Sequence, residues 1–184
     1  MIRQTALGPF TWDEPCWTSE PIPVPLFGGA KVQIQMFGER DDAEVLQPDE
    51  VEALQRFLAL PQEHGLEVVP HLWRYYLDMW EMVGPPDIPE ILDPSTIWSH
   101  VTPRSACVEH DEEDAPYVVV WAECDWEIEH GLQLSLREGQ RWVRVSPYSG
   151  HLTDGRAYDP ESLDDWIADP LERLPVRSRD ELIR

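Results

Sequence analysis

The sequence predicts a single α+β domain over residues 1–184, a mostly antiparallel sheet of about six strands with two consecutive helices packed on one face. Three observations carry this expectation. Residues 117–146 (YVVVWAECDWEIEHGLQLSLREGQRWVRVS) contain the longest apolar run and then two limbs of alternating character, the pattern of a three-stranded antiparallel meander. Two adjacent stretches, 48–60 and 66–83, instead place apolar residues at steps of three and four. A chain of 184 residues with 42% hydrophobic residues and nine tryptophans also has the material for one core, burying about two-thirds of its unfolded surface.

In chain order, residues 1–21 carry turn chemistry at Gly8-Pro9 and Glu14-Pro15, with a short edge strand expected near Phe10–Trp12. Pro21-Ile22-Pro23-Val24-Pro25 is extended, because each proline biases the residue before it away from helix. Gly28-Gly29 turns the chain into a strand over Ala30–Phe37, with Val32, Ile34 and Met36 facing inward and Lys31, Gln33 and Gln35 outward. A polar loop, Gly38–Gln47, leads to Pro48 in a first helical turn crowded by Asp49, Glu50 and Glu52. Val51, Leu54, Phe57 and Leu58 form the first helix's stripe. Leu66, Val69, Leu72, Trp73, Tyr76, Leu77 and Trp80 form the second's, which Gly84-Pro85-Pro86 stops.

Residues 84–116 are expected to be a long, acidic, proline-rich connection pinned by a helical turn at Thr96–His100. The limbs 117–126, 132–136 and 141–146 follow, with turns at Glu129–Gly131 and Glu138-Gly139. Ser162–Ala168 predicts a short helix capped by Ser162. The tail 173–184 is charged and expected to fray.

The net charge of −22, from 36 acids against 14 bases, excludes nucleic acids and anionic membranes as direct ligands and favours a basic protein partner. Between Glu81 and Glu129 there are 13 acids and one base, Arg104. Cys16, Cys107 and Cys124 are odd in number and lack CxxC spacing, which excludes a disulfide framework or zinc knuckle and suits a reducing compartment. With no leader and no long apolar run, a cytoplasmic protein is expected. No nucleophile elbow or phosphate-cradling glycine pattern is present, so no cofactor is expected.

The densest chemistry lies in Asp125–His130. Asp125 and Glu127 share one face of an extended strand, and Glu129-His130 occupy the turn. Together with His151 they form a candidate divalent-metal or acid–base site. The competing reading is an acidic hairpin turn in which Gly131 supplies the backbone angle. Glu109, Asp111, Glu112, Glu113 and Asp114 form an acidic run without EF-hand spacing. Trp73, Trp80 and Trp121 fall on apolar faces, the pattern of core residues. Trp98 and Trp126 stand near loops, where an indole beside carboxylates suits a partner carrying arginines.

The tryptophan followed by PVPLFGGAKVQIQ, the helix PDEVEALQRFLAL, the pair Tyr75-Tyr76 and the segment AECDWEIEHGLQL together resemble an uncharacterised family of bacterial domains. That family carries a W-D-x-E-H-G-L motif, matched here by Trp126, Glu129, His130, Gly131 and Leu132, with Glu127 where the family usually has Asp. Such domains are similar in size and charge to immunity proteins that neutralise secreted bacterial toxins. The resemblance implies a non-enzymatic, intracellular inhibitor that occludes a basic toxin or effector. In that role Glu109–Asp114 would steer the partner, and Asp125, Glu127 and Glu129 would pair with its arginines or lysines around Trp126 and Trp98. The alternatives are a metal-dependent enzyme or metal-binding domain using Asp125–His130, and an acidic mimic of nucleic acid.

Overall fold

The strand-forming stretches assemble into one nine-stranded mixed sheet in the computed structural model, which describes residues 1–41, 44–111, 115–158 and 167–170. The strands are β1 (Ile2–Thr5), β2 (Gly8–Asp13), β3 (Cys16–Ser19), β4 (Ile22–Val24), β5 (Ala30–Phe37), β6 (Val101–His110), β7 (Pro116–Cys124), β8 (Glu127–Arg137) and β9 (Arg141–Ser146). Helices α1 (Pro48–Leu58) and α2 (Val69–Met82) lie between β5 and β6, and a short α3 (Asp154–Tyr158) follows β9. No helix among the described residues is long and apolar enough to cross a membrane.

The sheet runs β1-β2-β3-β5-β6-β7-β8-β9, with β4 also paired to β5. β3 and β4 are two pieces of one edge along β5, broken where the ladder skips. There the Ser19 hydroxyl takes over and accepts the Ile34 N–H at 2.9 Å. Among the described strands every pairing is antiparallel except β5–β6, which pair in parallel through Gln33↔Ser105 and Ile34↔Ala106. A parallel neighbour requires the chain to return to the starting end of the sheet, and α1 and α2 make that crossover.

Crossing over puts both helices on one face. Ala53, Leu54 and Phe57 of α1, with Leu72, Tyr76 and Trp80 of α2, join Ile34, Val118, Val120, Leu132, Leu134 and Leu136 in one buried cluster. α1 begins with a capping box in which the Gln47 N–H donates to Glu50 Oε2 at 2.6 Å. It then packs directly over the β8–β9 turn. Gly139 sits there at φ +74°, and a Cβ built on it would lie 1.9 Å from the Ala53 carbonyl oxygen.

The described residues cover the opposite face over one half. Leu152 packs on Tyr117, Val119 and Val143. The segment around it hydrogen-bonds the sheet's outward polar side chains: Gln133 Nε2 donates to His151 O at 2.7 Å, and Arg144 donates to Thr153 O at 3.2 Å and Ser149 Oγ at 2.7 Å. Arg144 also pairs with Asp154 at 3.1 Å, and neither side chain is more than 6% exposed.

These observations correct the expected sheet of about six strands with two helices: among the described residues there are nine strands, with one parallel pairing, and a third short helix besides α1 and α2. Residues 101–110, assigned to a long connection, form β6, because Pro103 sits where the β6–β7 register shifts and so breaks no ladder. The single expected edge strand near Phe10 is three strands, each four to six residues long. The Thr96–His100 turn lies within a 3₁₀ segment, Pro94–His100. Most of the expected helix at 162–168 and the tail 173–184 lie outside the described residues.

Gly139→Ala is expected to lower stability by about 2–5 kcal/mol, from the left-handed backbone and the clash with α1. Gly150→Ala, at φ +77° with nothing within 4 Å, should lose only about 1–2 kcal/mol. Urea unfolding midpoints of the two variants check the contrast. Asp154→Ala leaves Arg144 buried without its counter-charge, so a loss of about 3–5 kcal/mol is expected in the same assay.

Candidate functional site

Two surfaces carry the outward chemistry: the β7–β8 end of the sheet and the open half of the helix-free face. At the first, Asp125-Trp126 alone turn the chain, and Cys124 pairs with Glu127. The register then jumps to Ala122↔Leu132, so four residues, Ile128–Gly131, stand opposite the single Glu123. The Glu129–Gly131 stretch is therefore a wide bulge within β8 rather than the hairpin turn expected from sequence. Gly131 is required at φ +68°, because a Cβ there would lie 2.8 Å from the Ala122 carbonyl oxygen.

One buried carboxylate closes the bulge. Glu127 Oε1 accepts the Glu129 N–H at 2.7 Å and Oε2 accepts the His130 N–H at 2.8 Å. The Tyr75 hydroxyl on α2 lies 3.3 Å from Glu127 Oε2 and 3.1 Å from the Gly131 carbonyl, to which it donates. His130 Nδ1 lies 3.3 Å from Glu127 Oε2. The result is an isoleucine, Ile128, that is 90% exposed, flanked by exposed Glu123, Asp125 and Glu129. Burial, and then the neighbouring Cys124 and Glu127, push the Tyr75 hydroxyl well above its ordinary pKa, so it stays a donor.

The residues picked out by sequence are dispersed. Asp125 turns away from Glu127 and pairs with His100 Nδ1 at 2.9 Å. Trp126 is 1% exposed and packs edge-on against Tyr75 and Tyr76, a core position and not a surface anchor. Trp98 caps Gly65, donating to its carbonyl at 3.0 Å. Asp111 points inward, accepting the Tyr117 hydroxyl at 2.9 Å and pairing with Arg156 at 3.1 Å, while Glu109 is half-buried. Glu112, Glu113 and Asp114 lie outside the described residues. Among the described residues no group of three or more His, Cys, Asp or Glu side chains is placed to hold a metal ion, so Asp125, Glu127, Glu129, His130 and His151 do not converge.

The second surface was not picked out by sequence. It is a groove of about 760 Å³ over β5, β6 and β7. Gln33, Gln35 and Ser105 line its walls, Val119 and Trp121 its floor, and Phe37 and Tyr148 its rim. Trp121, expected in the core, is 39% exposed here because it points to the face opposite the helices. Lys31 and Arg104 sit at one end and Glu109 at the other. The missed signal was β6: once residues 101–110 are a strand, the outward Gln33 stands directly beside Ser105.

The family model for a domain of unknown function, DUF6985, matches residues 6–152, which span β2 through β9, both surfaces and both long helices. No curated protein and no solved structure matches the chain.

The two cysteines nearest these surfaces are not activated. Burial, reinforced by Glu109, pushes the Cys107 thiol up to about 12, and burial chiefly pushes Cys124 up to about 12. At pH 8 only about one molecule in ten thousand carries either thiolate. Iodoacetamide at pH 8 should therefore leave both unmodified in the native protein and alkylate both in 8 M urea, as read by peptide mass mapping.

Proposed function

Because the chain belongs to DUF6985, a family whose description assigns no activity, we propose its role from the geometry of the β7–β8 end: it is a non-enzymatic binding protein for a basic protein partner. The most concrete form of this reading is an immunity-type inhibitor that covers a cationic cleft of a toxin or effector domain. The observation that carries it is the Glu127-closed bulge, which fixes a 90% exposed isoleucine between carboxylates.

A protein interface needs an apolar anchor held in place before the partner arrives, since ordering it on binding costs affinity. Ile128 supplies the anchor, and Glu127, Gly131 and Tyr75 supply the order. Exposed carboxylates also lie at the β2–β3 turn (Asp13, Glu14), on α1 (Asp49, Glu52) and near the end of α2 (Glu81). The charge of −22 thus surrounds the body and accelerates encounter with a cationic partner, while the bulge provides the fit. Glu129 is the nearest carboxylate available to a partner's arginine, because Glu123 is paired with Arg104 and Asp125 with His100. Trp126, Asp111 and Glu127 act beneath the surface and not at the contact.

Affinity capture from lysate of the source cells, with wild-type and variant baits side by side, tests the reading. The expected catch is a protein of pI above about 9 whose binding weakens with salt. Ile128→Asp should weaken it at least about tenfold, and Glu129→Lys should do the same, while Glu52→Gln on α1 leaves it unchanged. An acidic or salt-insensitive partner, or one held equally by Ile128→Asp, would reject the assignment.

A further inference from the structure

The helix-free face has two halves that differ in one respect: among the described residues, one is occupied by the chain itself and the other is not. On the occupied half, the bent segment 147–153 hydrogen-bonds the sheet's outward side chains through its backbone. Gln133 is read from both sides, donating from Nε2 to the His151 carbonyl at 2.7 Å and accepting the Ser149 N–H at Oε1 at 3.4 Å. Leu152 drops between these bonds onto Tyr117, Val119 and Val143. A glutamine amide has the donor and acceptor of a peptide group, so it pairs naturally with a passing main chain.

The open half repeats these parts without an occupant among the described residues. Gln33 and Gln35 project from β5 beside Ser105 of β6, and none of the three side chains has a hydrogen-bond partner among the described residues. Val119, which lies under Leu152 on one side, extends with Trp121 as an apolar floor on the other. Tyr148, from the segment that covers the first half, forms the shared rim. The groove's volume of about 760 Å³ is within the range that takes a short ligand segment.

Charge selects what that segment carries. Lys31 is the only lysine in a chain of net charge −22, it lies at one end of the groove, and it makes no ion pair among the described residues. Arg104 beside it is held by Glu123. Lys31 is therefore a cation of the groove left for a ligand, a place where this acidic surface would attract an anion.

We propose that the groove over β5, β6 and β7 binds an extended peptide segment of another protein. An acidic side chain of that segment engages Lys31, its main chain pairs with the amides of Gln33 and Gln35, and an apolar side chain rests on Trp121. The site borders the β7–β8 bulge, since Trp121 Nε1 lies 3.3 Å from a Cβ built on Gly131, but the inference does not depend on the role proposed for the bulge.

The test is selection of a displayed random nonapeptide library on the full-length protein, followed by fluorescence polarisation with the enriched peptides as synthetic probes. Enriched sequences should share an acidic residue. Their affinity should fall at least tenfold in Lys31→Glu and in Trp121→Ala, and by a smaller factor in Gln33→Ala, while Ile128→Asp leaves it unchanged. Thermal unfolding of each variant is recorded alongside, and Lys31→Glu, at an exposed position, should melt with the wild type. Three results would overturn the proposal: no enrichment over an unrelated control protein, enriched peptides that bind Lys31→Glu as tightly as wild type, or Trp121-dependent retention on a glycan array with no peptide bound.

Discussion

The short parallel contact between β5 and β6 is the constraint on which the architecture depends. Only Gln33↔Ser105 and Ile34↔Ala106 register across it, yet it joins the N-terminal strands to the C-terminal meander. Had β5 and β6 paired antiparallel, a tight hairpin would have sufficed. Pairing in parallel forces the chain back along the sheet, and the returning segment is α1 and α2. One pairing choice therefore puts both long helices on a single face and leaves the other to be covered by whatever follows β9.

That second face shows how costly a wet sheet surface is to cover incompletely. Under the Ser149–Asp154 segment the outward residues Gln133, Ser135 and Arg144 are buried and hydrogen-bonded, and the guanidinium of Arg144 faces the carboxylate of Asp154. A buried ion pair of this kind adds little net stability over an apolar pair, but removing one partner is strongly destabilising. It acts as a register pin: the segment can lie in only one place. Tyr117 and Arg156, which share Asp111, do the same where the acidic run meets β7. Several carboxylates that look like surface charge in the sequence are in fact spent inside the fold.

Periodicity and turn chemistry were legible where one physical cause dominated. The strand over 30–37, the helices near 48–58 and 69–82, and the meander limbs each obey a single rule of alternation or helical spacing. β6 was not legible, because its outward Ser105 and Cys107 are small and Pro103 reads as a breaker unless the register shift beside it is known. Trp121 shows the limit of apolar runs: residues 117–122 are apolar throughout, but alternate ones face opposite sides, and only the neighbours on that side decide which are covered. Asp125 and Glu127 do not share a face, since the turn lies between them. The signal for Glu127 was present in its spacing, two and three residues before the amides it accepts and four before a glycine.

The bulge at Ile128–Gly131 is not needed to close the hairpin. Asp125-Trp126 already closes the hairpin, and regular pairing could have continued directly from Cys124↔Glu127. Instead the strand carries extra residues, a left-handed glycine against the Ala122 carbonyl and a desolvated carboxylate, and the side chain so displayed is an isoleucine that buries almost nothing. A lone exposed apolar residue needs no explanation. Here the backbone on either side of the exposed residue is tied down, because a buried carboxylate accepts the next two amides and an α2 tyrosine reaches the Gly131 carbonyl. The order is supplied inside the fold, by the amides that Glu127 accepts and the carbonyl that Tyr75 reaches, and its outcome is a fixed apolar side chain facing solvent. On the open groove, by contrast, the side chains of Gln33, Gln35 and Ser105 make no hydrogen bond among the described residues, beside a half-face on which Gln133, Ser135 and Arg144 do.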